Sequence, residues 1–76
     1  MINDESVKLM AKGLTLNKSL KSLILWDNSI TNGSMVELVE SLVTNQTITW
    51  LDLDRNNIHM RFIFRIKDII DRNLKI

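Results

Sequence analysis

Three aspartates and one histidine (Asp27, Asp52, Asp54 and His59) come nearest to a chemistry-bearing set in this 76-residue chain. Carboxylate oxygens suit hard cations such as calcium or magnesium. Solvated acids are the commoner use of such residues, so no bound metal is expected. His59 has neither a cysteine nor a second histidine to share a ligand or a proton relay; it reads as a loop residue at a helix start. Gly13 and Gly33 stand alone, so no glycine loop can cradle a phosphate. No serine or threonine has a matching histidine and carboxylate set. Catalysis requires a positioned nucleophile or acid–base pair in a pocket that excludes water. The expectation is a non-enzyme without a cofactor.

Binding chemistry is better supplied. The chain has two tryptophans, Trp26 and Trp50, each next to a run of alternating apolar residues. Alternation at Leu23 and Leu25, and again at Leu51 and Leu53, is the pattern of a strand with one buried face. If those leucines point inward, Ser22, Ile24 and Trp26 point outward, as do Trp50, Asp52 and Asp54. Asp27 and Arg55 flank the exits of the two strands. Exposed aromatics ringed by charge are common anchors of protein interfaces; the competing reading is that both indoles lie flat over neighbouring strands as packing.

The elements that position these residues follow from a shift of 28. Asn17-Lys18-Ser19-Leu20-Lys21-Ser22-Leu23-Ile24-Leu25 aligns with Asn45-Gln46-Thr47-Ile48-Thr49-Trp50-Leu51-Asp52-Leu53, and the same shift aligns Asn28 with Asn56 and Ile30 with Ile58. A fixed period of this size predicts stacked strand–helix units. Between the strand segments, Met35, Leu38, Val39 and Leu42 have the spacing of a helix with one buried stripe; Val7, Met10, Ala11 and Leu14 precede them, and Ile63, Ile66, Lys67 and Ile70 follow. The predicted order is helix (about 3–15), strand (22–26), helix (32–43), strand (50–54), helix (60–71). Strands joined through a helix run parallel, which sets Ser22 beside Trp50, Ile24 beside Asp52 and Trp26 beside Asp54. Asn17, Asn45 and Asn73 read as left-handed C-terminal caps, and Thr31 or Asn32 as an N-cap. Asn17, Asn32 and Asn45 each open an Asn-x-Ser/Thr triplet, here part of the period rather than glycosylation acceptors.

The segments Leu20-x-x-Leu23-x-Leu25-x-x-Asn28-x-Ile30 and Ile48-x-x-Leu51-x-Leu53-x-x-Asn56-x-Ile58 resemble leucine-rich repeats. Their length and following helix are similar to those of the ribonuclease-inhibitor type. That resemblance implies an α/β solenoid, a short horseshoe segment with parallel strands on the concave face and helices on the convex one. It implies that Asn28 and Asn56 hydrogen-bond backbone groups in the loop after each strand. The domain reading is one unit, 1–76: a helix of a partial repeat (1–16), repeats at 17–44 and 45–72, and the start of another at 73–76. Phe62 and Ile69 depart from the pattern, standing where the other helices have Ser6 and Gly13 or Ser34 and Ser41. So few units suggest a piece of a longer array, or one that self-associates through uncapped ends.

Composition excludes much else. With no cysteine there is no disulfide or thiolate zinc site. The first 20 residues carry charges throughout, so no signal peptide is expected, and no apolar run is long enough for a membrane span. A soluble, cytoplasmic protein is the expectation. The net charge of +1 divides into −3 over the first 54 residues and +4 from Arg55 onward. The functional expectation is a protein–protein interaction scaffold using Ser22, Ile24, Trp26, Asp27, Trp50, Asp52, Asp54 and Arg55. The alternatives are a structural fragment of a larger receptor, effector or GTPase regulator, or binding of nucleic acid or anionic lipid through Arg61, Arg65, Arg72 and Lys75. Either of these last two partners is disfavoured by the sparse basic stripe.

Overall fold

In the computed structural model, residues 1–75 are described. Three helices, α1 (Asp4–Leu16), α2 (Met35–Thr44) and α3 (Met60–Leu74), alternate with two strands, β1 (Ser22–Ile24) and β2 (Trp50–Asp52). A 3-10 turn, Asn32–Ser34, leads into α2. The strands are parallel, with Ser22 opposite Trp50, Leu23 opposite Leu51 and Ile24 opposite Asp52. Both are shorter than expected, yet the ladder continues past them: Leu25 N donates to Asp52 O at 2.8 Å and Asp27 N to Asp54 O at 2.9 Å.

The sheet and helices enclose one apolar cluster that includes Val7, Leu14, Leu25, Ile30, Met35, Leu38, Leu42, Ile48, Leu53, Ile66 and Ile69. Branched aliphatics on the inner face of each strand meet the inner stripe of each helix, and removing that surface from water drives the closure. Side chains cap the starts of α1, the 3-10 turn and α3. Asn3 caps α1 by accepting from Ser6 N, Thr31 caps the 3-10 turn by accepting from Gly33 N, and His59 Nδ1 caps α3 by accepting from Arg61 N. Among the described residues, no buried side-chain nitrogen or oxygen lacks a hydrogen-bond partner.

The leucine-rich-repeat solenoid expected from the sequence is not formed. The chain folds as a small unit measuring 31 × 22 × 18 Å, with three helices over a single two-stranded sheet. Two strands give too little sheet to curve into a horseshoe. The stripe predicted in α3 included Lys67; instead Lys67 is exposed and Ile69 is buried. Ile66, Ile69 and Asn73 face inward in α3, at the positions aligned with the buried Leu38, Ser41 and Asn45. What survives of the period is a set of cross-links inside one globule.

Asparagines make those links. Asn56 Oδ1 accepts from Asn28 N and Ile30 N, while its Nδ2 donates to the carbonyls of Leu25, Leu53 and Asp54. Asn28 Oδ1 accepts from Ile2 N, and its Nδ2 donates to Leu25 O and Trp26 O. Both side chains thus bind backbone groups in the loop after their own strand, as expected, and also in the neighbouring turn. Asn17 and Asn45 do end helices, but in extended conformation (φ −76° and −73°), not left-handed. An Asn in this conformation turns its carbonyl oxygen back onto the amides two and three residues on, here Ser19 and Leu20, or Thr47 and Ile48. Asn73 lies in the last turn of α3 and donates to Ile48 O and Asn45 O. Ile76, which aligns with Leu20 and Ile48, lies outside the described residues.

Candidate functional site

The outer face of the sheet carries Ser22, Ile24 and Trp26 on one strand and Trp50, Asp52 and Asp54 on the other. Ile24 is 59% exposed, Trp26 47% and Trp50 60%. Ser22 and Asp54 are exposed, and Asp52 is half-buried. The register sets Trp50 beside Ser22 and Asp52 beside Ile24. Large apolar side chains project here because the leucines between them, Leu23, Leu25, Leu51 and Leu53, take the inward positions of the pleat.

Asp27 and Arg55 follow the ladder, and they are the only non-glycine residues with positive φ among those described (59° and 61°). This left-handed conformation is uncommon for residues with a Cβ, and costly for a long side chain such as arginine. It turns each chain sharply out of the sheet toward Asn28 and Asn56. It also returns the Arg55 side chain over the sheet face, with its guanidinium carbon 5.7 Å from the centre of the Trp26 ring and Nε 3.6 Å from Asp27 Oδ1. The ion pair is exposed and contributes little to stability. Its effect is to hold a cation against an indole at the rim of the patch.

Beside Trp50, the open edge of β2 and the flank of α3 form a groove of about 360 Å³. Asp52, Asp54 and Asp71 line it against a single Lys67, with Leu51, Ile66 and Ile70 at its floor. The sequence named Trp50, Asp52 and Asp54 but not this α3 wall, because Ile66 and Ile70 read only as core. Among the described residues, no group of three or more His, Cys, Asp or Glu side chains could hold a metal ion.

The proposed basic face of α3 is divided. Arg61, Arg65 and Lys75 are exposed, but Arg72 is occupied. Its guanidinium donates to the carbonyls of Leu42, Val43 and Asn45 at 3.1, 3.0 and 2.9 Å, and to Asn73 Oδ1. It thereby satisfies the free carbonyls at the end of α2, where a cation also suits the helix dipole.

One carboxylate overlooked in the sequence has a structural task. Asp4 accepts from Thr31 N, Thr31 Oγ1 and Ser34 Oγ, tying the start of α1 to the turn before α2. Partial desolvation pushes its pKa up. Hydrogen bonds from the Thr31 hydroxyl, the Thr31 amide and Ser34, with the charge of Lys8, outweigh this and bring it below 3.8.

No family model and no curated relative matches the chain. The structure is similar to that of "Leiomodin-1 Actin-Binding Site 2 (ABS2)", with a TM-score of 0.68 and 20% sequence identity over 96% of this chain. This chain spans 58% of that one. At this identity the likeness concerns the fold. It corrects the ribonuclease-inhibitor-type leucine-rich-repeat assignment: the neighbour is a leiomodin actin-binding site, and the shared architecture is the small unit of helices and parallel strands described above.

Proposed function

We propose that the chain is a non-catalytic protein-binding module whose sheet face receives a partner segment. One observation carries this reading: two half-exposed indoles, with Ile24 between them, are fixed on paired strands beside a cation held over one ring. Rigid aromatic anchors lose little conformational freedom on association, which is why they concentrate binding energy. The acidic groove next to Trp50 favours a segment that presents basic residues beside its apolar anchor. The left-handed Arg55 supports the same reading, since backbone strain persists where an arrangement serves recognition.

The printed name of the structural neighbour makes actin the first partner to test, and the cytoplasmic location expected from the sequence belongs to the same proposal. Trp26 and Trp50 are the only tryptophans, but actin has its own, so the titration uses chain labelled with 5-fluorotryptophan and follows its fluorine resonances. The expected result is saturable broadening or shifting of both signals with actin. Signals unmoved up to high actin concentration would remove actin as the partner. Cosedimentation with both signals unmoved would move the site elsewhere on the molecule.

A further inference from the structure

β2 has β1 on one side only. Trp50 N donates to Lys21 O, while Asp52 O and Asp54 O accept from Leu25 N and Asp27 N, so these residues of the second strand turn backbone groups toward β1. Leu51, Leu53 and Arg55 turn theirs out along the free edge. On the paired side, Leu25 and Asp27 donate their amides to Asp52 O and Asp54 O, and Asn28 and Ile30 donate theirs to Asn56 Oδ1. On the free side, the aligned amides of Leu53, Arg55, Asn56 and Ile58 donate to no group among the described residues. Apolar cover is lost in the same place. Ile30, Met35 and Leu42 are fully buried, whereas their counterparts Ile58, Ile63 and Ile70 are half-buried against the core.

We propose that this edge receives an extended segment of a partner protein as a third strand, parallel to β2. The proposal rests on the reading of the chain as a module that receives a partner segment, and it assigns the mode, which is main-chain pairing at the edge. The direction follows from the last two donors. Asn28 and Ile30 are satisfied by an asparagine that follows a parallel strand, three residues past the inward Leu53. An asparagine placed likewise in the partner satisfies Asn56 and Ile58. In that register, aliphatic side chains of the segment lie toward Leu51, Ile66 and Ile70, and its alternate residues stand beside Trp50, Asp52 and Asp54. Charge selects those alternate residues. The groove sets Asp52, Asp54 and Asp71 against one base, Lys67. Asp52 already accepts from the amide of Asp54 at 3.0 Å. Asp54 and Asp71 have no ion pair, since the one among the described residues joins Asp27 to Arg55. Lysine or arginine at the alternate positions complements them.

The probe is an 11-residue peptide with the spacing of Ile48–Ile58: isoleucine first, leucine fourth and sixth, asparagine ninth, and lysine third, fifth and seventh. Hydrogen exchange on the intact chain reads the contact. The amides of Leu53, Arg55, Asn56 and Ile58 are expected to exchange quickly in the free chain and to slow by about tenfold or more with saturating peptide. Methylating the peptide's backbone nitrogen at position five, which faces β2, is expected to weaken binding by about tenfold or more. Methylation at position six, which faces away, is expected to leave affinity nearly unchanged. Asp54→Lys/Asp71→Lys alters two exposed sites and is expected to reverse the preference, from the lysine peptide to one with glutamate at the same positions. A peptide that does not bind, or that binds equally whichever nitrogen is methylated, overturns the proposal. So does a free chain whose edge amides are already protected while its sedimenting mass rises from 8.8 kDa toward twice that value, because a second copy then fills the edge. Trp26 lies on the other strand, and Trp26→Ala is expected to leave peptide affinity unchanged. A peptide without effect beside 5-fluorotryptophan signals that still respond to actin overturns the edge proposal and spares the sheet-face reading.

Discussion

The side-chain amide of Asn56 donates to the carbonyl of Leu25, 31 residues earlier, at 2.8 Å. The same side chain accepts from the amides of Asn28 and Ile30, so one residue ties both strand exits together. Replacing it with alanine leaves two amides and several carbonyls without partners in a turn half shielded from water. Asn56→Ala is expected to lower unfolding stability by about 2–4 kcal/mol, given the cost of unpaired polar groups. Urea denaturation followed by far-ultraviolet circular dichroism measures it. Asn56→Asp keeps the acceptor and loses the donors, so a smaller loss is expected.

Asp4 gives stability a defined pH dependence. Its folded pKa lies below 3.8, so the charged form is favoured in the native state. The associated stability is complete above the unfolded pKa and is lost as pH falls through the folded one. The stability difference between wild type and Asp4→Asn is therefore expected to be constant near neutral pH and to shrink as pH drops below about 3.8. Paired urea titrations down this range measure it, and a difference that grew on acidification would contradict the assignment.

Arg72 anchors the last turn of α2. Arg72→Ala is expected to cost about 1–2 kcal/mol, because three carbonyls lose a charged donor. Hydrogen exchange is expected to accelerate in the last turn of α2 before the rest of the chain. Arg72→Lys restores charge without the forked geometry, so partial recovery is expected.

Arg55 separates stability from binding. Glycine adopts positive φ freely, so Arg55→Gly is expected to hold or raise stability by up to about 1 kcal/mol. It also removes the guanidinium from Trp26, and partner affinity is expected to fall. Thermal unfolding and a binding titration on the same variant report both effects.

The alternation of Leu23 and Leu25, and of Leu51 and Leu53, made the outward placement of both tryptophans legible in the sequence, because a pleated strand has only two faces. Helix order was equally legible from apolar spacing. The solenoid was not a safe inference: spacing shows that segments are alike, whereas assembly depends on how many stack and how bulky their contacts are. Ile69 shows the difference: it takes the buried position that Ser41 holds in α2, while Lys67, placed in the stripe by spacing, is exposed. Arg72 read as a surface cation because its partners are backbone carbonyls 27 to 30 residues away, which no local pattern encodes. Asn17 and Asn45 end their helices with an extended backbone, because asparagine can end a helix by side-chain bonding as well as by a left-handed turn, while Asn73 lies inside α3, which is capped by Lys75. Asp4 was overlooked for a similar reason: an acid in a first helical turn is ordinary, and Thr31 and Ser34 approach it only in the fold.

The central claim is that Trp26 and Trp50 serve recognition rather than folding. Its most direct test is the Trp26→Ala/Trp50→Ala chain, measured for both urea stability and partner binding. About half of each indole surface is already in water, so a stability loss of no more than about 2–3 kcal/mol is expected, with native circular dichroism and binding abolished. A variant that unfolds, or one that stays folded and binds its partner with undiminished affinity, would contradict the account.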